Sequence, residues 1–198
     1  MRKLTMFNRV SADGYFATNS GDLSWTVPDE AIDQSGAERM HEFDAMLFGR
    51  RTYDAFESFW PNALNSTGTT EDPHARGRQS STLHAMGKWI NETSKYVFSN
   101  TRRELDWQSS HLLGPFDGKR VRALKEAPGK GIIVFGSGSI VSLLTEQGLI
   151  DEYQFVVGPL LLGSGRALVQ GVSKSVKLEL IEAKAYDSGN VVLRYARK

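Results

Sequence analysis

The sequence contains no cysteine, which excludes disulfides, thiolate nucleophiles and the cysteine-rich kind of zinc site. It has no excess of one charge either. Across 198 residues, 24 Lys and Arg face 23 Asp and Glu, so no overall field draws the chain to nucleic acid or to a membrane surface, and any anion site must be local. No apolar run approaches the roughly 20 residues that span a bilayer. The first stretch, MRKLTMFNRV, lacks the apolar core of a signal peptide, and a cytoplasmic location is the expectation. His41, His74, His84 and His111 have no ligand-like spacing and no carboxylate partner at helical i, i+4 positions, so no metal centre is expected. No G-x-S-x-G nucleophile elbow occurs, which argues against an α/β hydrolase. With 40 % hydrophobic and 24 % charged residues, the length suits one well-buried domain over residues 1–198.

What the sequence does have is concentrated between Lys130 and Val157. Ile132 to Phe135 is a short apolar run rich in β-branched residues, the signature of a parallel strand buried on both faces. It ends at Gly136-Ser137-Gly138-Ser139, where glycine lets the backbone turn sharply and another group approach closely. Ile140, Val141, Leu143 and Leu144 then follow a helical period up to Gly148, and Glu152 to Val157 reads as the next strand. This is a βαβ unit, whose helix start favours an anionic ligand such as a pyrophosphate. The third glycine of the dinucleotide fingerprint is absent, with Val141 in its place.

The remaining chain repeats the theme. Lys3 to Val10 is a first strand, followed by an Asp13-Gly14 turn. Pro28, Asp29 and Glu30 suit the first turn of a helix running to about Glu42 that buries Ile32, Met40 and Phe43. Ala45 to Phe48 is a second buried strand, breaking at Gly49-Arg50-Arg51-Thr52. Guanidinium groups and a hydroxyl beside free helix amides suit a phosphate; the plainer alternative is that the arginines are solvated or paired with Asp54 and Glu57. Asn62 to Ser81 is polar and turn-rich, and reads as a surface loop or lid. Leu83 to Asn91 is a short helix, Lys95 to Ser99 a third strand ending in polar and basic residues, and Phe116 to Lys125 another helix. Val176 to Tyr186 and Val191 to Tyr195 alternate around Asp187-Ser188-Gly189-Asn190, a hairpin signal. The predicted architecture is α/β: a mostly parallel central sheet, helices on both faces and an antiparallel C-terminal hairpin.

Five segments taken together resemble a known family. S-x-D-G-Y-x-A at Ser11 to Ala17, F-G-R-R-T-Y at Phe48 to Tyr53, F-S-N-T at Phe98 to Thr101, F-G-S-G-S at Phe135 to Ser139, and G-L-I-D-E-Y…P-L-L-L-G-S-G at Gly148 to Gly165 are similar to the dihydrofolate reductase-like fold. Within it they lean to the reductase domain of the riboflavin-biosynthesis deaminase-reductase and its stand-alone relatives. The resemblance implies a three-layer sandwich and an NADPH-dependent reductase acting on a small heterocycle, commonly as a homodimer. It implies that Gly49, Arg50, Arg51 and Thr52 hold the pyrophosphate and 2′-phosphate, that Ser99, Asn100 and Thr101 line the adenosine end, and that Gly136, Ser137, Gly138, Ser139 and Ile140 wrap the diphosphate. Ala12, Asp13 and Gly14 then lie near the nicotinamide, with Asp13 a candidate catalytic residue.

The substrate side is less determined. Dihydrofolate reductases carry W-x-x-P-x-(Asp or Glu), and Trp25 to Glu30 fits that spacing with Glu30 as the acid. A helix first turn explains the same carboxylate, so both roles stand. Phe155 occupies the place where those enzymes have a threonine, which points away from folate. Trp25, Phe48, Trp60 and Phe155 are candidate walls for a flat substrate, or simply core. A complete deaminase-reductase is excluded, since the deaminase half requires zinc-binding cysteines. The alternative to a reductase is a dinucleotide-binding sensor of the same fold.

Overall fold

A computed structural model describes residues 1–65, 67–136 and 138–198. β1 (Leu4–Ser11) is buried along nearly its whole length. Its two faces feed different cores, Leu4 and Met6 on one side and Phe7 on the other. A turn at Gly14, with φ of 87°, leads into the short β2 (Tyr15–Ala17). α1 (Glu30–Arg39) starts at Asp29, whose side chain accepts from the Ala31 and Ile32 amides, and a single 3-10 turn (Met40–Glu42) closes it. Aspartate is well suited to this capping position.

β3 (Phe43–Gly49) is followed by α2 (Arg50–Ala63), β4 (Thr70–Asp72), β5 (Ala75–Ser80), α3 (Ser81–Glu92), β6 (Ser94–Phe98), β7 (Ser110–Gly114) and α4 (Gly118–Glu126). Then come β8 (Gly131–Phe135), α5 (Gly138–Glu146), β9 (Glu152–Gly158), β10 (Arg166–Ala167), β11 (Leu178–Ala185) and β12 (Val191–Arg197). Eight strands form one sheet in the order β11-β12-β9-β1-β8-β3-β6-β7. Every pairing from β9 through β7 is parallel, and β12 alone runs against the rest. β1 therefore lies between β8 and β9, inside the crossover that α5 makes. α4 and α5 cover one face through Val121, Ile140, Val141 and Leu144. α2 and α3 cover the other through Tyr53, Trp60, Leu83 and Ile90.

Two longer stretches differ from the sequence reading, beside the short β2–β10 pair and Phe43, which opens β3 rather than lying in α1. Residues expected to form only a loop after Asn62 carry the antiparallel pair β4 and β5, and α3 begins directly at Ser81. Side-chain hydrogen bonds tie this hairpin down: the buried Thr70 hydroxyl donates to the Ala63 carbonyl at 3.1 Å and lies 3.2 Å from His84 Nδ1, while Arg78 bonds Asp72. Such ties leave no apolar alternation to read. β7 also escaped, because an edge strand paired on one side needs little apolar patterning, and none of its residues is fully buried.

Candidate functional site

The carboxyl ends of β3, β6 and β8 meet at a cleft of about 530 Å3. Its first wall is the start of α2, where Gly49 is extended (φ −87°, ψ 157°) and offers no side-chain cap, so the first helical amides and the positive end of the dipole remain available. Arg50 pairs with Asp54 at 3.3 Å, whereas the exposed Arg51 forms no ion pair among the described residues. The second wall is Ser99, whose hydroxyl accepts from the amides of Thr101 (3.2 Å) and Arg102 (2.9 Å) and so folds Asn100 and Thr101 outward into the cleft. Ser139 and Ile140 at the start of α5 form the third. Ser137 lies outside the described residues.

Gly136, just after β8, and Asn8 of β1 stand beside Thr52 of α2, and neither lines the cleft itself. Gly136 has φ of 52°, and a Cβ there would stand 3.4 Å from Asn8 Oδ1 and 3.5 Å from Thr52 Oγ1. The Asn8 side-chain nitrogen is buried and has no hydrogen-bond partner, a cost of about 1–3 kcal/mol unless some group arrives to accept from it. Gly138 is packed just as closely, with its Cα face against the Phe16 ring, where a Cβ would come within 2.7 Å.

The turn after β1 is held from outside. Asp13 accepts from the Ser11 hydroxyl at 2.5 Å and from the Leu162 and Gly163 amides at 3.1 and 2.7 Å. The Ser11 bond first, then these amides, keep its carboxyl below the usual range. Ala12 donates to the Leu160 carbonyl at 2.9 Å and Gly14 to the Ser11 carbonyl at 2.9 Å. Ala12 and Asp13 thus anchor the turn to the loop after β9, and Gly14 closes the turn itself.

On the α2/α3 face lies an apolar cavity of about 160 Å3. Phe7, Ile133 and Phe135 rise from the sheet, Phe56 and Trp60 come from α2, Met86 and Trp89 from α3, and Ile32 from α1. One end is polar, with Arg9, Asp33, Asp72 and His74. Asp33 meets Arg9 at 3.4 Å and Arg78 at 3.2 Å, and Arg78 also bonds Asp72 and Glu30. Burial outweighs the two arginines and raises the Asp33 carboxyl above its ordinary range. The same burial lowers Arg9, against the pull of Asp33, and lowers His74.

The structure separates the sequence candidates for the substrate side. Glu30 does not line the cavity; its half-exposed carboxylate accepts from Arg78 and from Ser80 at 3.1 Å, and the Thr82 hydroxyl first, then Ser80 and Arg78, hold it below the usual range. Among the four aromatic candidates, Trp60 lines the cavity. Phe48 is fully buried behind it, 5.1 Å from the Phe56 ring centre and 6.2 Å from that of Phe135. Phe155 stands on the opposite face of the sheet with Tyr153 and Tyr195. Trp25 packs in a small crevice with Val27, Val156 and Asn190, its indole nitrogen buried and unpartnered. Sequence reasoning passed over Asp33, Arg9, Phe7 and Phe56. One signal was available: Asp33 sits one helical turn beyond Glu30 and directly after the buried Ile32, so a helix starting at Asp29 turns Asp33 inward with that face.

A mostly parallel sheet with one reversed strand, helices on both faces and a cleft at the strands' carboxyl ends is a dihydrofolate reductase-like fold. The crystal structure of a putative riboflavin biosynthesis protein from Shewanella sp. PV-4 matches with a TM-score of 0.73 and 21 % identity, over 99 % of each chain. A dihydrofolate reductase from Enterococcus faecalis, complexed with NADP(H) and RAB-propyl, matches with a TM-score of 0.63 and 11 % identity over 99 % of this chain and 96 % of that one. The chain belongs to the RibD C-terminal domain family, whose model matches residues 2–114 and 117–192. Among sequence relatives, YyaP of Bacillus subtilis (strain 168) is 27 % identical over 194 residues, covering 98 % of this chain and 94 % of that one. At family level the chain is therefore of reductase type. No helix among the described residues is long and apolar enough to cross a membrane.

Proposed function

We propose that the protein is an NADPH-dependent reductase that transfers a hydride to a small heterocyclic substrate, pyrimidine-, riboflavin-precursor- or pterin-like, and that it works as a cytoplasmic homodimer. The observation that carries this reading is the adjacency of the two concavities. Phe7 and Phe135 wall the apolar cavity, and the chain after Phe135 leads through Gly136 to Ser139 and Ile140, which line the polar cleft. A cofactor in the cleft and a ring in the cavity would meet across that step.

The residues of the cleft fit a dinucleotide. The unpartnered Asn8 donor, the uncapped start of α2 and Arg51, which forms no ion pair among the described residues, suit an anionic, carbonyl-bearing ligand. Gly49, Arg50, Arg51 and Thr52 would hold the phosphates, Ser99, Asn100 and Thr101 the adenosine end, and Gly136, Gly138, Ser139 and Ile140 the diphosphate, with Ala12 to Gly14 fixing the nearby turn. Bound there, NADPH supplies the hydride. The aromatic walls exclude water and orient the ring. Asp33, whose carboxyl burial raises above its ordinary range, would be the proton donor at the cavity's polar end, and Glu30 positions Arg78 beside it.

NADPH oxidation measured against a panel of pterins, pyrimidines and flavins tests the reading. Turnover of one class is the expected outcome. NADPH binding without any oxidation would make the protein a sensor, and no NADPH binding at all would remove the cofactor from the account.

A further inference from the structure

One side chain at the cavity's polar end is left with weak bonds. Arg9 rises from β1 on the same face as Phe7, two residues earlier, and its side chain is only 16 % exposed. A guanidinium carries five N–H donors. Among the described residues Arg9 bonds only the Val27 carbonyl and Asp33 Oδ1, and both contacts are 3.4 Å long. Charge-assisted bonds from an arginine usually close to about 2.7–2.9 Å. The other arginines at this end are held more tightly: Arg39 reaches Glu42 at 2.9 and 2.8 Å and Gln154 at 2.8 Å, and Arg78 bonds Asp72, Glu30 and, at 3.2 Å, Asp33 Oδ2. Asp72 and Gln154, two acceptors that line the cavity, are thereby committed elsewhere. With so little exposure, solvent supplies Arg9 with few partners, and unpaired donors on a buried cation are costly. A ligand in the cavity can take them up.

Because a guanidinium donates and never accepts, the ligand atom that meets it must be an acceptor. The aromatic walls hold the faces of a flat ring, which leaves the ring's edge to Arg9. A carbonyl oxygen there would supply the missing bonds and, being neutral, would leave the lining charges of Arg9 and Arg39 balanced against Asp33 and Asp72. An amino group in the same place would set donor against donor. We propose, resting on the reductase reading, that Arg9 is the residue that selects the substrate: it donates to a carbonyl oxygen on the edge of the bound ring, so the site takes oxo-substituted rings over their amino counterparts. A site built around a buried donor rejects an analogue without the acceptor more sharply than an apolar wall rejects a misfit.

Two probes that share a ring system test this: lumazine, which carries two ring carbonyls, and diaminopteridine, which carries amino groups at the same two positions. Isothermal titration calorimetry of the intact protein without NADPH should show lumazine binding roughly tenfold or more tightly than diaminopteridine. Arg9→Met, which keeps the apolar stem and removes the donors, should weaken lumazine by about tenfold and leave diaminopteridine within about twofold, so that the preference disappears. Arg9→Lys, which keeps a cation beside Asp33, should melt like wild type and retain part of the preference. A merely structural Arg9 would instead weaken both probes together. Equal or tighter binding of diaminopteridine to wild type, binding of neither probe, or variants that keep the full preference or weaken both probes equally overturn the proposal. NADPH oxidation is read separately: oxidation driven only by amino-substituted rings would defeat the proposal and leave the reductase reading intact, whereas an Arg9-dependent lumazine preference with no oxidation by any compound would defeat the reductase reading alone.

Discussion

Asp33 and Glu30 lie one helical turn apart on α1, and a single arginine holds both, yet their surroundings differ enough to assign them different work. Asp33 faces an apolar cavity and binds its proton more tightly than usual; Glu30 faces solvent and hydroxyl groups and binds its proton less tightly. A group that must deliver a proton near neutral pH is served by the first environment. Asp33→Asn should therefore lower turnover by about 10²–10⁴-fold, with NADPH affinity unchanged, while Glu30→Gln should stay within about tenfold of wild type. Steady-state rates and NADPH titration of both variants decide the matter, and the reverse ranking would return the role to Glu30. If Asp33 is the proton donor, its protonated form is the active one, and since burial raises its pKa above the ordinary carboxylate range, wild-type kcat should fall as pH rises through that raised value. Asp33→Asn should lose this limb of the profile.

Lys95 makes a second residue-scale case, concerned with stability. It is fully buried, its ammonium donates to the carbonyls of Asn91, Thr93 and Gln108 at 2.8, 2.9 and 3.1 Å, and it lies 4.4 Å from the Trp107 ring centre. Burial pushes its pKa from 10.5 down to about 8. Between those values the unfolded chain holds a proton that the folded chain has released, so stability rises with pH there, by at most about 1.4 kcal/mol per unit. Lys95→Met should lose that slope in urea unfolding at pH 7.5 and 9.5. It should also be less stable by on the order of 3 kcal/mol, because three carbonyls lose their donor.

At the scale of elements, the legible parts were those in which one physical signal dominated. β8, α5 and β9 were readable because a buried parallel strand, a glycine turn and an amphipathic helix each leave their own period. Pro28 to Glu30 announced α1, although Asp29 caps the helix and Glu30 begins it. The β4–β5 hairpin was not readable, since hydroxyl and guanidinium bonds to distant residues hold it. The cleft followed from strand-end motifs, while the cavity is assembled from α1, α2, α3, β1 and β8 and has no contiguous trace in the chain. The start of α2 yields the element-scale prediction. Arg51 forms no ion pair among the described residues, so Arg51→Ala should leave the melting temperature nearly unchanged. If it serves the 2′-phosphate, the variant should weaken NADPH about ten- to a hundredfold through loss of a charge-assisted bond and leave NADH untouched. Equal weakening of both cofactors would assign Arg51 to the pyrophosphate.

Across the whole molecule, the sheet ends at β11, an edge strand with Leu180 56 % and Ile181 48 % exposed. Open apolar edges invite pairing with another chain. The proposed homodimer would use this edge, and light scattering behind size exclusion should give twice the chain mass for wild type. Leu180→Glu combined with Ile181→Lys should give one chain mass with the fold retained. An unchanged double mutant would place the interface elsewhere.

The position of β1 also governs the order in which the protein can be made. Its residues pair Leu4 with Ile132 on one side and Thr5 with Glu152 on the other, so this strand finds both neighbours only after the long stretch of chain between them has been synthesised. Until then its apolar length has no sheet to join and is exposed to wrong partners or to a chaperone. Closing such long loops before any contact repays them makes folding slow. The central strand that carries Asn8 and Arg9 is thus also the one whose placement commits the chain to its native topology.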